Sequence, residues 1–155
     1  MKQVKNLEEE YNKCIRTGTI QFSNKTDISL IKSLLKSSKE DIKIYNATLS
    51  VMEKNKGFSY LFTHRYDTLR KLMDAYLYFD NLKCGNHHCT NAYLCKKNPE
   101  FKIKWEIIES MRLLRNSINY QGEIIDENIW NNFKPKFIKY IKILKNKVKQ
   151  ELISK

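Results

Sequence analysis

Gly18, Gly57, Gly85 and Gly122 are the only glycines in 155 residues, and Pro99 and Pro135 are the only prolines. A turn-rich sandwich or barrel needs many more residues that tolerate positive φ or preset a bend, so so few of them confine the chain to long helices. Each glycine closes a stretch in which apolar residues recur at three- and four-residue spacing, the place where a helix tends to end in a left-handed residue. The expectation is an all-α fold, an up-and-down bundle of about five helices forming a single domain over 1–155.

The segments differ in character. Over 3–17, Leu7, Tyr11, Cys14 and Ile15 share a face. Asp27 is placed to cap a long helix over 28–54, with Ile31, Leu35, Ile42, Tyr45, Leu49 and Met52 on its stripe. From 58 to 79 the chain is nearly solid with Phe, Tyr, Leu and Met, so this helix must be surrounded, in mid-bundle or partly against another subunit. A brief helix over 86–96 precedes Pro99, which suits the first turn of the next helix, over 100–119, whose stripe is Ile103, Ile107, Met111, Leu114 and Ile118. The last helix opens at Asp126 and carries Ile129, Phe133, Phe137, Ile141, Leu144 and Val148, with Pro135 expected to kink it near Asn131.

A formal net charge of +12 favours polyanionic partners, RNA among them, and the densest run of lysines falls between Lys134 and Lys155. No apolar run nears the roughly 20 residues of a membrane span, and the sequence beginning MKQVKNLEEEYNK has no apolar signal core, which points to the cytoplasm. In that compartment the four cysteines are expected as reduced thiols. No Gly-rich phosphate loop and no G-x-S-x-G elbow is present, which excludes nucleotide-driven motor and kinase chemistry, and the acids are too dispersed for a carboxylate-bound metal nuclease. Cys84, His87, His88, Cys89 and Cys95 cluster, yet they lack the paired C-x-x-C spacing of zinc sites, so packing is the better reading and no metal or cofactor is implied. His64, on the aromatic helix, reads as a packing residue.

Chemistry gathers instead near the end of the fourth long helix, in Arg112, Arg115, Asn116, Asn119 and Tyr120. Arg112, Asn116 and then Asn119 or Tyr120 share a face, with Arg115 beside it. Arg115 and Tyr120, however, stand about 140° apart around an ideal helix. Either the helix frays at Asn119, or two copies face each other across a two-fold axis.

The stretch RLLRNSINYQG resembles the signature of HEPN domains, in which an Arg and a polar residue, commonly Asn, precede a His by four to six residues. The long second helix, the aromatic segment, the central Arg-Asn turn and the closing amphipathic helix follow the HEPN order. The resemblance implies a helical bundle that homodimerises around a shared groove. It also implies metal-independent cleavage of RNA by attack of a ribose 2′-hydroxyl on the adjacent phosphate, in a toxin-like protein partnered by a minimal nucleotidyltransferase antitoxin. Arg115 matches the motif Arg, Asn116 the polar residue, and Tyr120 the position of the His. Tyrosine, with an ordinary pKa near 10, is a weak proton acceptor at neutral pH, which leaves His87 or His88 as substitutes in space. The competing reading is a non-catalytic adaptor that binds the nucleotidyltransferase or a nucleotide. Gly122 stands where some partner enzymes of this type modify a tyrosine, which leaves Tyr120 itself as the alternative target.

Overall fold

A computed structural model describes residues 4–154, which form six α-helices and one small two-stranded antiparallel sheet: α1 Leu7–Arg16, β1 Ile20–Phe22, α2 Ile28–Lys54, α3 Phe58–Leu77, β2 Leu82–Cys84, α4 His87–Lys97, α5 Trp105–Gln121 and α6 Glu127–Ser154. The all-α class stands, the brief helix expected over 86–96 being the sixth beside the other five. No helix of the described residues is long and apolar enough to cross a membrane.

α3 is the axis of the bundle. It packs against α2, α4, α5 and α6, and Leu61, Phe62, Tyr66, Leu69, Leu72 and Met73 have no exposed surface. Phe62 meets Phe133 and Phe137 of α6 edge-on, with ring centroids 5.3 and 5.0 Å away, a geometry that adds to simple area burial. The apolar face of α3 is therefore consumed inside one chain, and Tyr60 is its one strongly exposed aromatic ring.

Capping chemistry sets the helix starts. Asp27 accepts the Leu30 N–H at 2.9 Å and Asp126 accepts the Ile129 N–H at 2.9 Å, as expected. α1 begins at Leu7, because Asn6 is its cap and accepts the Glu8 N–H at 2.9 Å; the expected start at residue 3 lies outside the described residues. α5 also begins late. Pro99 opens a 3₁₀ turn, Pro99–Phe101, and Lys102 at φ 54° breaks the path before Trp105. The buried face of α5 carries Trp105, Ile108, Glu109 and Met111, while Ile107, Leu114 and Ile118 are half-buried, so the expected stripe is rotated.

The glycines divide. Gly18 and Gly122 have φ of 66° and 69°, as helix-ending residues should, but Gly85 does not, and at the end of α2 it is Lys56 that adopts φ 56°. Gly57 begins α3 instead, where an added Cβ would lie 3.2 Å from Met52 Sδ and 3.3 Å from its carbonyl oxygen.

Two further expectations are corrected. The segments after Gly18 and before Gly85, for which an all-α fold predicts no strand, pair as an antiparallel ladder, Ile20 with Cys84 and Phe22 with Leu82. Cys14 and Cys89, read as free thiols, form a disulfide that ties α1 to the start of α4, leaving Cys84 and Cys95 free. Pro135 lies inside α6, which continues from Glu127 to Ser154.

Candidate functional site

Three helices converge on a pocket of about 430 Å³. The C-terminal half of α5 supplies Arg112, Arg115, Asn116 and Tyr120, the beginning of α4 supplies Asn86, His87 and His88, and α3 supplies Arg70. α5 stays helical through Gln121, so Asn119 does not fray; it is exposed and does not line the pocket. Arg115 and Tyr120 lie at the two ends of an arc along the α5 wall, and a pocket this broad spans that arc within one chain.

Asn86 caps α4. Its side chain accepts the Cys89 N–H at 2.8 Å and its carbonyl accepts the Thr90 N–H at 3.2 Å. The first two amides of α4, those of His87 and His88, have no acceptor among the described residues, as is usual for a helix start. The positive end of the α4 dipole thus faces the same pocket as three guanidinium groups.

Carboxylates behind the pocket hold these cations. Glu109 is buried, and its Oε1 accepts from Arg112 at 2.6 and 2.9 Å, while Asn91 donates to its Oε2 at 3.2 Å. His88 is clamped between two acids, with Nδ1 at 2.6 Å from Glu109 and Nε2 at 2.6 Å from Glu10 of α1. The hydrogen bond with Glu109 is the main cause that lifts the His88 pKa above its ordinary value, against the effect of burial. Burial pushes the Glu109 carboxyl up, but its bonds with His88 and Arg112 outweigh that and leave it below the usual range. Arg115 donates from Nη2 to Asp67 at 3.1 Å, while its Nε and that of Arg70 are buried without a hydrogen-bond partner. Unmet buried donors of this kind cost about 1–3 kcal/mol each.

His87 sits in the opposite surroundings. Its ring stacks on Tyr66 with centroids 6.1 Å apart, and neither ring nitrogen has a hydrogen bond among the described residues. Burial, then Arg70, Arg115 and Arg112, depress its pKa to about 4. At neutral pH it is an uncharged imidazole with both nitrogens unbonded, beside three cations.

Of the residues singled out in the sequence, Arg112, Arg115, Asn116, Tyr120, His87 and His88 come together and Asn119 does not. Arg70, Asn86 and the supporting Glu109 were not singled out. Glu109 lies on the side of α5 opposite the expected stripe, so the pattern hid it, and its only local cue was Arg112 three residues on; the signal for Arg70 was a cation on an aromatic helix flanked by Asp67 and Asp74. His64 packs between the rings of Tyr45 and Tyr60, as expected. The Cys84–Cys95 cluster is dispersed by the disulfide at Cys89 and the clamp on His88, and no group of three or more His, Cys, Asp or Glu among the described residues is arranged to hold a metal ion.

No family model, no curated protein and no solved structure matches this chain.

Proposed function

We propose that the pocket binds an RNA phosphodiester and cleaves it without metal, in a HEPN-like, toxin-type ribonuclease. The observation that carries this reading is the union of three guanidiniums, the open amides of α4 and an uncharged imidazole in one pocket. Arg115, Arg112 and Arg70 bind the phosphate oxygens and stabilise the added negative charge of the five-coordinate phosphorus, and Asn116 orients the ribose. His87 takes the 2′-hydroxyl proton, the 2′-oxygen bonds to phosphorus, and the 5′-oxygen leaves and is protonated by solvent at the pocket mouth. The product ends are a 2′,3′-cyclic phosphate and a 5′-hydroxyl. His87 thereby performs the proton transfer assigned by the motif to the residue that is Tyr120 here. Bound phosphate offsets the field of the arginines, which brings His87 closer to the pKa a proton acceptor needs.

Exposed lysines of α6, such as Lys139, Lys142 and Lys149, add long-range attraction for RNA. A homodimer and a minimal nucleotidyltransferase partner belong to the same proposal. A cytoplasmic setting does too, although a reducing compartment would open the Cys14–Cys89 disulfide.

One observation favours the adaptor reading: each pocket arginine already faces a carboxylate, Arg112 with Glu109, Arg115 with Asp67 and Arg70 with Asp74. Incubation with total RNA in EDTA separates the two. A ribonuclease yields 2′,3′-cyclic ends, with Arg115→Ala slower by about 100-fold or more. Intact RNA, with the partner still bound, identifies the adaptor.

A further inference from the structure

We infer that the pocket accepts one unpaired nucleotide of a single strand, its phosphate among the arginines and its base stacked on the ring of Tyr120. This rests on the phosphate reading above and assigns Tyr120 a face rather than a hydroxyl. Tyr120 is 77% exposed, the most exposed aromatic ring of the described residues, although it lines a polar pocket. Among the described residues its hydroxyl makes no hydrogen bond, no other ring stacks on it and no cation covers it. The other tyrosines are buried or half-buried, except Tyr60, which packs against His64. An apolar ring left bare beside cationic groups has the form of the stacking platforms that bind bases by their π-faces whatever their identity.

Size and shape narrow the ligand. About 430 Å³ lies near the lower end of small-ligand pockets, enough for a single nucleotide and far too little for a helix. In duplex RNA the bases are stacked and their faces hidden, so a ring that binds a base face selects unpaired nucleotides. The amides of Asn86 and Asn116 flank the position and can meet a base edge or a ribose hydroxyl.

The test measures affinity rather than cleavage, using fluorescently labelled 2′-O-methyl oligonucleotides, which cannot form the cyclic phosphate, in EDTA. The wild-type protein, Arg115→Ala, Tyr120→Phe and Tyr120→Ala are compared on a single strand, its duplex and a strand bearing one abasic position. The expected result is preference for the single strand, affinity within twofold of wild type for Tyr120→Phe, and a loss of about 5- to 150-fold for Tyr120→Ala. That loss shrinks on the abasic strand. Binding abolished by Arg115→Ala but untouched by Tyr120→Ala, or a Phe variant as weak as the Ala variant, overturns the stacking while leaving the phosphate site standing. Failure of the wild-type protein to bind any oligonucleotide overturns both.

Discussion

His87 and His88 are chain neighbours whose rings occupy opposite electrostatic surroundings. His88 lies between the carboxylates of Glu109 and Glu10, 2.6 Å from each, while His87 stacks on Tyr66 and faces Arg70, Arg112 and Arg115. One ring is built into the wall that holds the arginines; the other is left open to whatever enters.

The pair titrates in opposite directions. Histidine ring signals in an NMR titration should show His88 still charged above pH 6.5 and His87 uncharged until about pH 4. The folded pKa of His88 exceeds its unfolded value of roughly 6.5, so the stability it contributes is complete below that pH and is lost as pH rises through the folded value. The folded pKa of His87 is depressed, so its contribution is complete above roughly 6.5 and is lost as pH falls toward about 4. Urea unfolding across pH should therefore show His88→Gln flattening the alkaline decline and His87→Gln flattening the decline between those two values. Parallel titration of the two rings defeats this account.

Glu109 joins the wall to the site. Glu109→Ala removes the buried acceptor of Arg112, His88 and Asn91, leaving Arg112 without its carboxylate and His88 with Glu10 alone, at a cost of about 3–5 kcal/mol. At about 2–4 °C per kcal/mol for a domain of this size, the melting temperature should fall by roughly 6–20 °C. Glu109→Gln keeps the shape and loses less. Calorimetry that finds Glu109→Ala as stable as wild type refutes the clamp.

The bundle was legible where local chemistry decides structure. α2 begins and ends where Asp27 and its apolar period place it, and α3 is central because a helix apolar on most of its circumference has no other place. The rotation of α5 was not legible, since a buried Glu109 is tolerable only once His88 and Arg112 reach it from elsewhere in space or one turn on. The site divides the same way. Arg112, Arg115, Asn116 and Tyr120 lie within nine residues of one helix and could be read together, whereas Arg70 and Asn86 join them only through the packing of α3 and α4 against α5. The Cys14–Cys89 bridge spans a sequence separation of 75, and no local pattern marks it.

That bridge makes a countable prediction. Denatured without reductant, the protein should expose two reactive thiols, Cys84 and Cys95, and after reduction four. In the native state both should react slowly, because burial pushes Cys84 up to about 11 and Cys95 up to about 12. Reduction, or Cys14→Ser, should lower stability by about 2–5 kcal/mol in urea unfolding. It should also loosen the start of α4, seen as faster amide exchange at Cys89 and Thr90, whose amides bond to Asn86. Four reactive thiols without reductant rule out the bridge.

Arg70 allows charge to be separated from packing, since it reaches the pocket from the central helix, its Nε has no hydrogen-bond partner among the described residues and it faces Asp74 only at 3.6 Å. Arg70→Met keeps the length and apolar stem while removing the cation that, after burial, most depresses His87. The His87 pKa should rise above about 4, while Asp74 loses the cation that faces it at 3.6 Å. If Arg70 contacts phosphate, the slope of log affinity against log salt for a single-stranded oligonucleotide should decrease in magnitude by about 0.7, the share of one phosphate contact. A variant with an unchanged His87 titration and an unchanged salt slope would place Arg70 outside the site, and the anion would then have to be held by α4 and α5 alone.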